Sequence, residues 1–382
     1  MSLPAPFQLE RYFARYEFNA PYLLSASDCE SLSLKELLSL ADPETRALWE
    51  TLSLGYTESP GHPLLRTEIA GTYAGIAADQ VLVAAPEEAI FIAMHVLLSP
   101  GDEVIVLAPA YQSLHEIARS IGARVLDWPL LPAQDGPQTT WRLDLDGLRA
   151  RLSPRTKLIV INFPHNPTGF LPTRAEFESI LEAARAKGCA VFADEMYRGL
   201  EYTPADRLPA VCDLYEDGIS LSGMSKAYAL PGLRIGWLAT RQAGLPARLQ
   251  AFKDYTTICS SAPSEILALA ALRAREHILS RNREIIRANR AAAERFFGER
   301  AGFFRWAAPC AGSVAFPIWR GPGTVEDFCG RMVEQQGVMV VPGSLFAFPG
   351  NHFRVGLGRR SFAAALARVS EGLAGESAST RS

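Results

Sequence analysis

SLSGMSKAYALPGLRIGW, residues 220 to 237, contains a lysine that follows a predicted strand and a run of small residues. In α/β folds the loop after a strand opens into the crevice at the carboxyl edge of the sheet, where ligands bind. In such a crevice Lys226 can lose its proton and attack an aldehyde, and phosphate donors stand nearby at Ser222, Ser225 and Arg234. Most lysines are solvated surface residues, and this stretch alone does not exclude that alternative.

Short apolar, β-branched segments alternate with helical patterns on the N-terminal side of this stretch. The predicted strands are VLVAA (81–85), EVIVLA (103–108), KLIVINF (157–163), CAVFADE (189–195), ISLSG (219–223) and RIGWLAT (234–240). They lack polar alternation, which is typical of strands buried on both faces of a parallel sheet. Between these strands, apolar residues recur at helical spacing in 86–98, 113–122 and 174–188. These segments are predicted to be the helices that connect the parallel strands. The sequence therefore predicts an α/β fold with a mostly parallel central sheet and helices on both faces.

A different pattern follows the last of these strands. An Arg- and Ala-rich stretch at 263–298 predicts one or two exposed helices, and the later apolar segments with a final helix predict a smaller α+β domain. We predict a large ligand-binding domain at residues 46–274 and a small domain formed by residues 1–45 and 275–382. The tail after Gly375 is predicted to be disordered.

Two further motifs, NFPHNPTG (162–169) and FADEMY (192–197), each follow a predicted buried strand and therefore point at the same crevice. Asp194 closes an apolar run, where an unpaired carboxylate is costly, so we expect it to have a cationic partner. The protonated nitrogen of a pyridine ring is such a partner, and Asn166 and Tyr197 can both donate to a phenolate oxygen on that ring. A helix cap or an arginine partner is the alternative for Asp194, and an ordinary Asn-Pro turn is the alternative for Asn166.

With these three motifs in this order, the chain resembles the fold-type I pyridoxal-phosphate enzymes of the class I/II aminotransferase family, from about Tyr56 to Arg354. The resemblance implies that Lys226 holds pyridoxal 5'-phosphate as a Schiff base and transfers a proton between substrate and cofactor, through a pyridoxamine intermediate. It also implies a set of cofactor-binding residues: Asp194 at the pyridine nitrogen, Asn166 and Tyr197 at the ring oxygen, Tyr111 stacked on the ring, and Ser222, Ser225 and Arg234 at the phosphate. Ser222 is one position away from the usual hydroxyl, and a core tyrosine is the alternative for Tyr111.

Two residues outside these motifs also match the family. Arg354, in HFRVGLG, matches the arginine that binds the substrate α-carboxylate, a task suited to the planar fork of a guanidinium. A surface arginine at a sheet edge is the alternative. Tyr56, in LGYTESPGHPLLR, matches a tyrosine that reaches the phosphate of the neighbouring subunit, so the resemblance implies a homodimer.

The chain departs from the family pattern at two places. The helix that binds the phosphate usually begins with a glycine and a small polar residue, whereas this chain has Ala85, Pro86 and Glu87. Pro86 suits the first helical position but has no N–H to donate, and Glu87 brings a negative charge beside the phosphate unless it faces away. Ser27 replaces the usual substrate-facing glycine, and we expect it to contact the substrate together with Asn166.

The implied reaction is transamination between an α-amino acid and a 2-oxo acid, EC class 2.6.1. The same scaffold supports β-elimination, decarboxylation, racemisation and oxidation of amino acids, and the sequence leaves these alternatives open. A non-catalytic regulator is disfavoured because the cofactor residues are present and because the chain begins almost at once with the small-domain arm, without room for a helix-turn-helix. The sequence does not indicate which side chain the substrate has.

The composition of the chain argues against several classes of binding partner. A net charge of -3 gives no general attraction to nucleic acid, and no apolar run reaches the roughly 20 residues of a membrane-spanning helix. The six cysteines have no CxxC spacing, and the N-terminus lacks a basic-then-apolar signal. We therefore expect a cytoplasmic protein with reduced thiols, no metal, no nucleic acid and no membrane partner.

Overall fold

The computed structural model describes residues 3–135 and 138–379. In chain order its strands are β1 (Val81–Ala84), β2 (Glu103–Ala108), β3 (Arg124–Pro129), β4 (Leu131–Asp135), β5 (Gln138–Arg142), β6 (Thr156–Asn162), β7 (Ala190–Asp194), β8 (Gly218–Gly223), β9 (Gly236–Thr240), β10 (Phe304–Arg305), β11 (Val314–Ala315), β12 (Ile318–Trp319), β13 (Val341–Pro342) and β14 (Phe353–Gly356). Its helices are α1 (Gln8–Tyr16), α2 (Leu34–Leu40), α3 (Pro43–Glu50), α4 (Pro63–Ala70), α5 (Pro86–Leu97), α6 (Ser113–Ile121), α7 (Leu145–Arg151), α8 (Arg174–Lys187), α9 (Val211–Leu214), α10 (Leu245–Lys253), α11 (Ala262–Arg273), α12 (Arg275–Glu299), α13 (Val325–Gln336) and α14 (Phe362–Ser379).

A seven-stranded sheet forms the centre of the molecule, in the order β1-β9-β8-β7-β6-β2-β3. Strands β3, β2, β6, β7 and β8 run parallel, and β9 lies antiparallel between β8 and β1. All six predicted strands are present, and the three predicted helices between them are α5, α6 and α8. The prediction of an α/β fold with a mostly parallel sheet is confirmed.

Helices cover both faces of the sheet because alternate residues of each inner strand point to opposite faces. In β6, Leu158 and Val160 pack with residues of α5 and α6, whereas Ile159 and Ile161 pack with residues of α8. Both sets are buried. This two-sided burial explains why the strands read as continuous apolar runs.

Short strands after residue 300 form a second structural region, with β14 between β11 and β13. An N-terminal arm, residues 22–26, is hydrogen-bonded to it: the Gly356 N–H donates to Leu24 O over 2.6 Å, and the Ser25 N–H donates to Met339 O over 2.9 Å. Gly356 permits this close approach, since a Cβ there would lie 1.8 Å from Ala26 O. The arm and the C-terminal part thus associate, and the domain boundaries at residues 45 and 274 stay a prediction.

Three features differ from expectation. The edge strand β3 and the hairpin of β4 and β5 were not predicted, because their residues mix polar and apolar side chains without a clear period. Within α11, residues 265 to 272 are all buried, so the prediction of exposed helices is wrong there; a helix apolar on every side belongs in a core. Helix α14 continues to Ser379, so the predicted disorder is wrong for residues 376–379, and 380–382 lie outside the described residues.

No helix in residues 3–135 and 138–379 is long and apolar enough to cross a membrane. Within those same ranges no group of three His, Cys, Asp or Glu side chains is arranged to hold a metal ion. All six cysteines are free thiols.

Candidate active site

A cavity of about 590 Å³ opens at the carboxyl ends of the parallel strands. Ten of the twelve predicted site residues line it: Ser27, Glu87, Tyr111, Asn166, Asp194, Tyr197, Ser225, Lys226, Arg234 and Arg354. They come from the ends of strands β2, β6, β7 and β8, from the turn before β9, from the start of α5, from the N-terminal arm and from β14. Segments far apart in the sequence therefore meet at one edge of the sheet, as expected for parallel strands.

Ser222 and Tyr56 do not line this cavity. Ser222 is buried in β8 beside Leu221, which does line it, and neighbouring side chains of a strand point to opposite faces. Its predicted contact with the phosphate is therefore not supported by the fold. Tyr56 is 92% exposed on the surface, where it has access to a second molecule rather than to its own cavity.

Lys226 lies just beyond β8, and its Nζ donates to Ser27 Oγ over 2.9 Å. Burial lowers the pKa of this amine, with Arg354 acting in the same direction while Asp28 and Asp194 oppose it. A lowered pKa increases the fraction of neutral amine at physiological pH. Lys226 is thus prepared to act as a nucleophile toward a carbonyl carbon.

Asp194 is the last residue of β7 and is only 7% exposed. Its Oδ1 accepts from the Met196 N–H over 3.1 Å, and no Lys, Arg or His nitrogen of the described residues forms an ion pair with it. Burial raises its pKa to about 6. A buried carboxylate without a counter-ion is costly, so the site favours a ligand with a protonated nitrogen at this position.

Asn162, which the sequence analysis passed over, joins two of the motifs. Its Nδ2 donates to Asp194 O over 2.7 Å, and its Oδ1 accepts from the Asn166 N–H over 2.7 Å. Because Asn162 is the last residue of β6, these bonds fix the loop after β6 against the end of β7. Its place at the head of the NFPHNPTG motif is the only sequence signal for this role.

Arg354 is 1% exposed, so its guanidinium is one of the most deeply buried charges of the site. Its Nε and Nη2 donate to Ser25 O over 3.2 and 3.0 Å, and its Nη1 donates to Asn166 Oδ1 over 3.1 Å. In the described ranges no carboxylate lies within 4.0 Å of it. The charge is therefore held rigidly by neutral acceptors and remains available to an anion in the cavity.

Buried polar atoms in the wall lack partners among the described residues. They include the Tyr197 hydroxyl and Ser225 Oγ. Tyr197 is 2% exposed and Ser225 is 6% exposed. Burial raises the pKa of Tyr197, so its hydroxyl keeps its proton and serves as a donor. These donors, together with Asp194 and the exposed Arg234, fit a ring oxygen, a phosphate and a ring nitrogen. The residues thus suit the pyridoxal 5'-phosphate expected from the sequence.

The start of α5 differs from a simple phosphate cradle. Pro86 is its first residue, as predicted, and the Glu87 side chain faces the cavity. Ser113 Oγ donates to Glu87 Oε2 over 3.2 Å, and burial raises the pKa of Glu87 to about 7. At neutral pH this carboxyl is therefore protonated more readily than an ordinary glutamate, which reduces its repulsion toward a phosphate.

Helix α1 contributes side chains that the sequence analysis did not foresee. Glu10 and Phe13 of α1 line the cavity together with Glu17, the C-cap residue that follows the helix, and their spacing of three and four residues places them on one helical face. Tyr111, whose ring also packs 5.0 Å from Phe7, donates its hydroxyl to Glu10 Oε1 over 2.9 Å. Amphipathic spacing in residues 8–17 is the only signal for this face, and it does not reveal what the face covers.

Comparison with known proteins finds relatives along most of the chain. Capreomycidine synthase of Streptomyces vinaceus is 32% identical over 288 residues, which are 75% of this chain and 72% of that protein. A probable N-succinyldiaminopimelate aminotransferase of Mycobacterium tuberculosis H37Rv is 31% identical over 77% of this chain and 75% of its own length. A solved PLP-dependent aminotransferase from Streptococcus suis 89-1591 superposes with a TM-score of 0.88 at 31% identity, covering 98% of this chain and 97% of the other.

A sequence family matches both the central-sheet region and most of the C-terminal region of the chain, in accord with the cavity residues and with these relatives. The family described as aminotransferase class I and II matches residues 23–366. Since this range includes every strand, helices α2 to α13 and the start of α14, the chain belongs to the class I and II aminotransferases.

Proposed function

We propose that this pyridoxal-phosphate-dependent aminotransferase, an enzyme of EC class 2.6.1, attaches its cofactor to Lys226 and moves the amino group of an α-amino acid to a 2-oxo acid. One observation carries the proposal. A lysine with a lowered pKa, a buried carboxylate without a counter-ion and a buried arginine without an anion meet in one cavity. Each is matched by one part of the cofactor and substrate.

The cofactor, when bound, withdraws electrons from the Cα–H bond of the substrate and makes that proton acidic. Asp194 holds the proton on the pyridine nitrogen, and Tyr197 and Asn166 donate to the ring oxygen. Asn166 does so with its amide N–H groups, because Arg354 occupies its Oδ1. Once freed from the cofactor, the Lys226 amine takes the proton from Cα, and its lowered pKa suits that task.

The substrate is oriented by its α-carboxylate. Arg354 offers two nitrogens in a planar fork, and Ser25 O prevents the guanidinium from turning away. Ser27 stays within hydrogen-bonding reach of the Lys226 amine and thus contacts the reacting part of the substrate. A carboxylate fixed in this way sets which bond at Cα faces the lysine.

The active enzyme is a homodimer, and Tyr56 reaches the phosphate bound by the neighbouring subunit, where Ser225 and Arg234 are the other ligands. Large apolar side chains are exposed on two adjoining loops: Leu54 (83%), Tyr56 (92%), Tyr255 (91%) and Ile258 (51%). Thr57 Oγ1 donates to Ser260 O over 3.2 Å and holds these loops together. A contiguous apolar surface of this kind is typical of an interface between copies. The cytoplasm, where thiols stay reduced, suits the six free cysteines.

The test is a half-reaction with a single amino donor and no acceptor. We expect the purified holoenzyme to convert its cofactor to pyridoxamine phosphate and to release one equivalent of 2-oxo acid, as seen by absorbance and chromatography. Lys226→Arg keeps the positive charge but lacks the primary amine, and we expect at least a ~10³-fold slower conversion.

The products also decide between reactions. One relative is named a synthase rather than an aminotransferase, so the products of this chain have to be identified and not only its cofactor. Release of ammonia together with an oxo acid, of carbon dioxide, or of a cyclised amino acid with the cofactor unchanged would replace transamination by that reaction. A Lys226→Arg protein as fast as the wild type would remove Lys226 from the proposal.

A further inference from the structure

The wall of the cavity carries more acidic groups than the cofactor and the α-carboxylate require. Its charged residues are five acids, namely Glu10, Glu17, Asp28, Glu87 and Asp194, and four bases, namely Lys226, Arg234, Arg354 and Arg359. In the proposed function Lys226, Arg234 and Arg354 serve the cofactor and the carboxylate, and Asp194 serves the ring nitrogen. Arg359 is paired with Asp28 over 2.7 Å. Three carboxyl groups remain.

Glu87 differs from the other two. It lies beside the proposed phosphate site, and burial raises its pKa to about 7. Glu10 accepts from the Tyr111 hydroxyl, and for Glu17 no side-chain hydrogen bond or ion pair occurs among the described residues. Within the described ranges, Glu10 and Glu17 are therefore two carboxyl groups without a direct ion pair, although Lys226 and Arg359 act on Glu17 from a longer distance.

Helix α1 holds both carboxylates firmly at the cavity. The Tyr12 hydroxyl donates to Val340 O over 2.9 Å. The Gln8 N–H donates to Gln112 Oε1, at the N-cap of α6, and the Ala5 N–H donates to Glu116 Oε1 of α6, over 2.9 Å each. Leu9 is buried in the core beneath the helix. Because the helix is anchored on the C-terminal region and on α6, Glu10 and Glu17 are fixed parts of the wall and not mobile surface residues.

Polar atoms outside α1 indicate that a ligand binds in the same cavity. Ser25 Oγ and the Tyr197 hydroxyl line the cavity, are at least nine-tenths buried and have no partner among the described residues. Arg354 defines where the α-carboxylate of that ligand lies, and Phe13 of α1 lies 5.8 Å from its guanidinium carbon. Because Phe13 lies between Glu10 and Glu17 on the same helical face, this face lies beside the carboxylate end of the substrate.

We propose that Glu17, assisted by Glu10, binds a positive charge at the end of the substrate side chain, so that the amino donor is a basic α-amino acid. This inference rests on the proposed function. A substrate cation offsets the two carboxylates, which lie about 10 Å apart along the helix axis at 1.5 Å per residue. Glu17 is the principal contact since its oxygens have no other partner, whereas Glu10 is shared with Tyr111.

The experiment compares arginine with citrulline, which has the same length but an uncharged ureido group. We expect a kcat/KM ratio of arginine to citrulline of at least about ten for the wild type, because hydrogen bonds between two charged groups are much stronger than those to a neutral group. Glu17→Gln keeps the size of the side chain and should reduce the ratio to near one. Glu50→Gln, on the exposed side of α3, removes the same charge elsewhere and should leave the ratio unchanged.

Binding provides a second readout that needs no turnover. In the pyridoxamine phosphate form the enzyme cannot transaminate an amino acid, so calorimetry measures the Kd of arginine and of citrulline directly. The same preference should be present in the wild type and absent in Glu17→Gln. Equal Kd values in the wild type, or an equal loss for both ligands in Glu17→Gln, would overturn the inference. Activity with neutral donors alone contradicts the inference but leaves transamination intact, whereas no activity with any donor contradicts the proposed function itself.

Discussion

Glu87 occupies the first turn of α5, where the phosphate of the cofactor needs hydrogen-bond donors and positive charge. Its carboxyl is partly buried, and burial raises its pKa to about 7, with Glu10 and Asp194 adding to the effect. Below this pH the residue is neutral and tolerates a phosphate, and above it the residue is an anion that repels one. If the phosphate lies at this turn as proposed, we expect cofactor affinity to depend on the charge of Glu87 near neutral pH.

Glu87→Gln tests this dependence. The amide keeps the shape without ionising, so we expect cofactor affinity at pH 8.5 to rise roughly tenfold over the wild type, the effect of about 1.4 kcal/mol of charge repulsion. At pH 5.5, where Glu87 is protonated, the two proteins should bind alike. The measurement is the Kd of pyridoxal 5'-phosphate for the apoprotein across this range. An advantage of the variant that stays constant with pH would show that Glu87 acts by shape and not by charge.

The residues of the site differ in how far the sequence could predict them. Asp194, Asn166 and Lys226 follow directly after buried strands, and strand ends of a parallel sheet meet at one edge, so their convergence could be inferred. Glu10 and Glu17 lie more than 140 residues before these motifs, on a helix whose position depends on packing against α6 and the C-terminal region. Local sequence carries no information about such a contact.

The same distinction holds for whole elements. Strands β2 and β6 are buried on both faces, and their continuous Val, Ile and Leu residues made them predictable. Strand β3, at the edge, has a mixed sequence and mostly exposed or half-buried residues, so its pattern resembles that of a loop. Helix α11 was recognised as a helix but not as a buried one, because its Arg- and Ala-rich neighbour dominated the composition of that stretch.

At Gly236, the first residue of β9, this strand is in close contact with both β8 and the start of α5. A Cβ at this position would lie 2.8 Å from Ser222 O in β8 and 2.9 Å from Pro86 Cγ at the start of α5. The glycine therefore allows the helix that carries Glu87 to lie directly on the strand ends. A larger residue must move either the strand pair or the beginning of α5.

Gly236→Ala is expected to destabilise the fold by about 1–3 kcal/mol through overpacking and to weaken cofactor binding at least about fivefold, since α5 shifts at the phosphate site. Gly232→Ala, in the loop just before, is the control, because nothing lies within 4 Å of a Cβ there. Urea unfolding of the apoprotein measures stability, and cofactor titration measures affinity. If Gly236→Ala lost stability but kept the affinity of the wild type, the contact with Pro86 would not position the site.

On the scale of the whole molecule, one subunit contains ten predicted site residues in its cavity but holds Tyr56 on its outer surface. A homodimer in which each subunit lends Tyr56 to the other would complete both sites. In such a dimer each active site combines residues of two chains. A residue that acts in the partner's site can therefore be distinguished by mutation from one that acts in its own site.

Mixing two inactive proteins tests this arrangement. Lys226→Ala lacks the cofactor lysine, and Tyr56→Ala lacks the proposed phosphate ligand of the neighbour. In a hybrid dimer the Tyr56→Ala subunit keeps Lys226 and receives an intact Tyr56 from its partner, so one of the two sites is native. Random reassociation makes about half of the dimers hybrid, and we expect about a quarter of the wild-type activity at low cofactor concentration. The control is the double variant Lys226→Ala with Tyr56→Ala, mixed with the wild type. Its hybrids contain one lysine-deficient and one tyrosine-deficient site, so subunit exchange should lower the activity of this mixture from about half to about a quarter of the wild-type value, whereas exchange raises that of the two single variants. Should the single variants fail to complement each other after exchange of subunits, Tyr56 would act within its own chain or not at all.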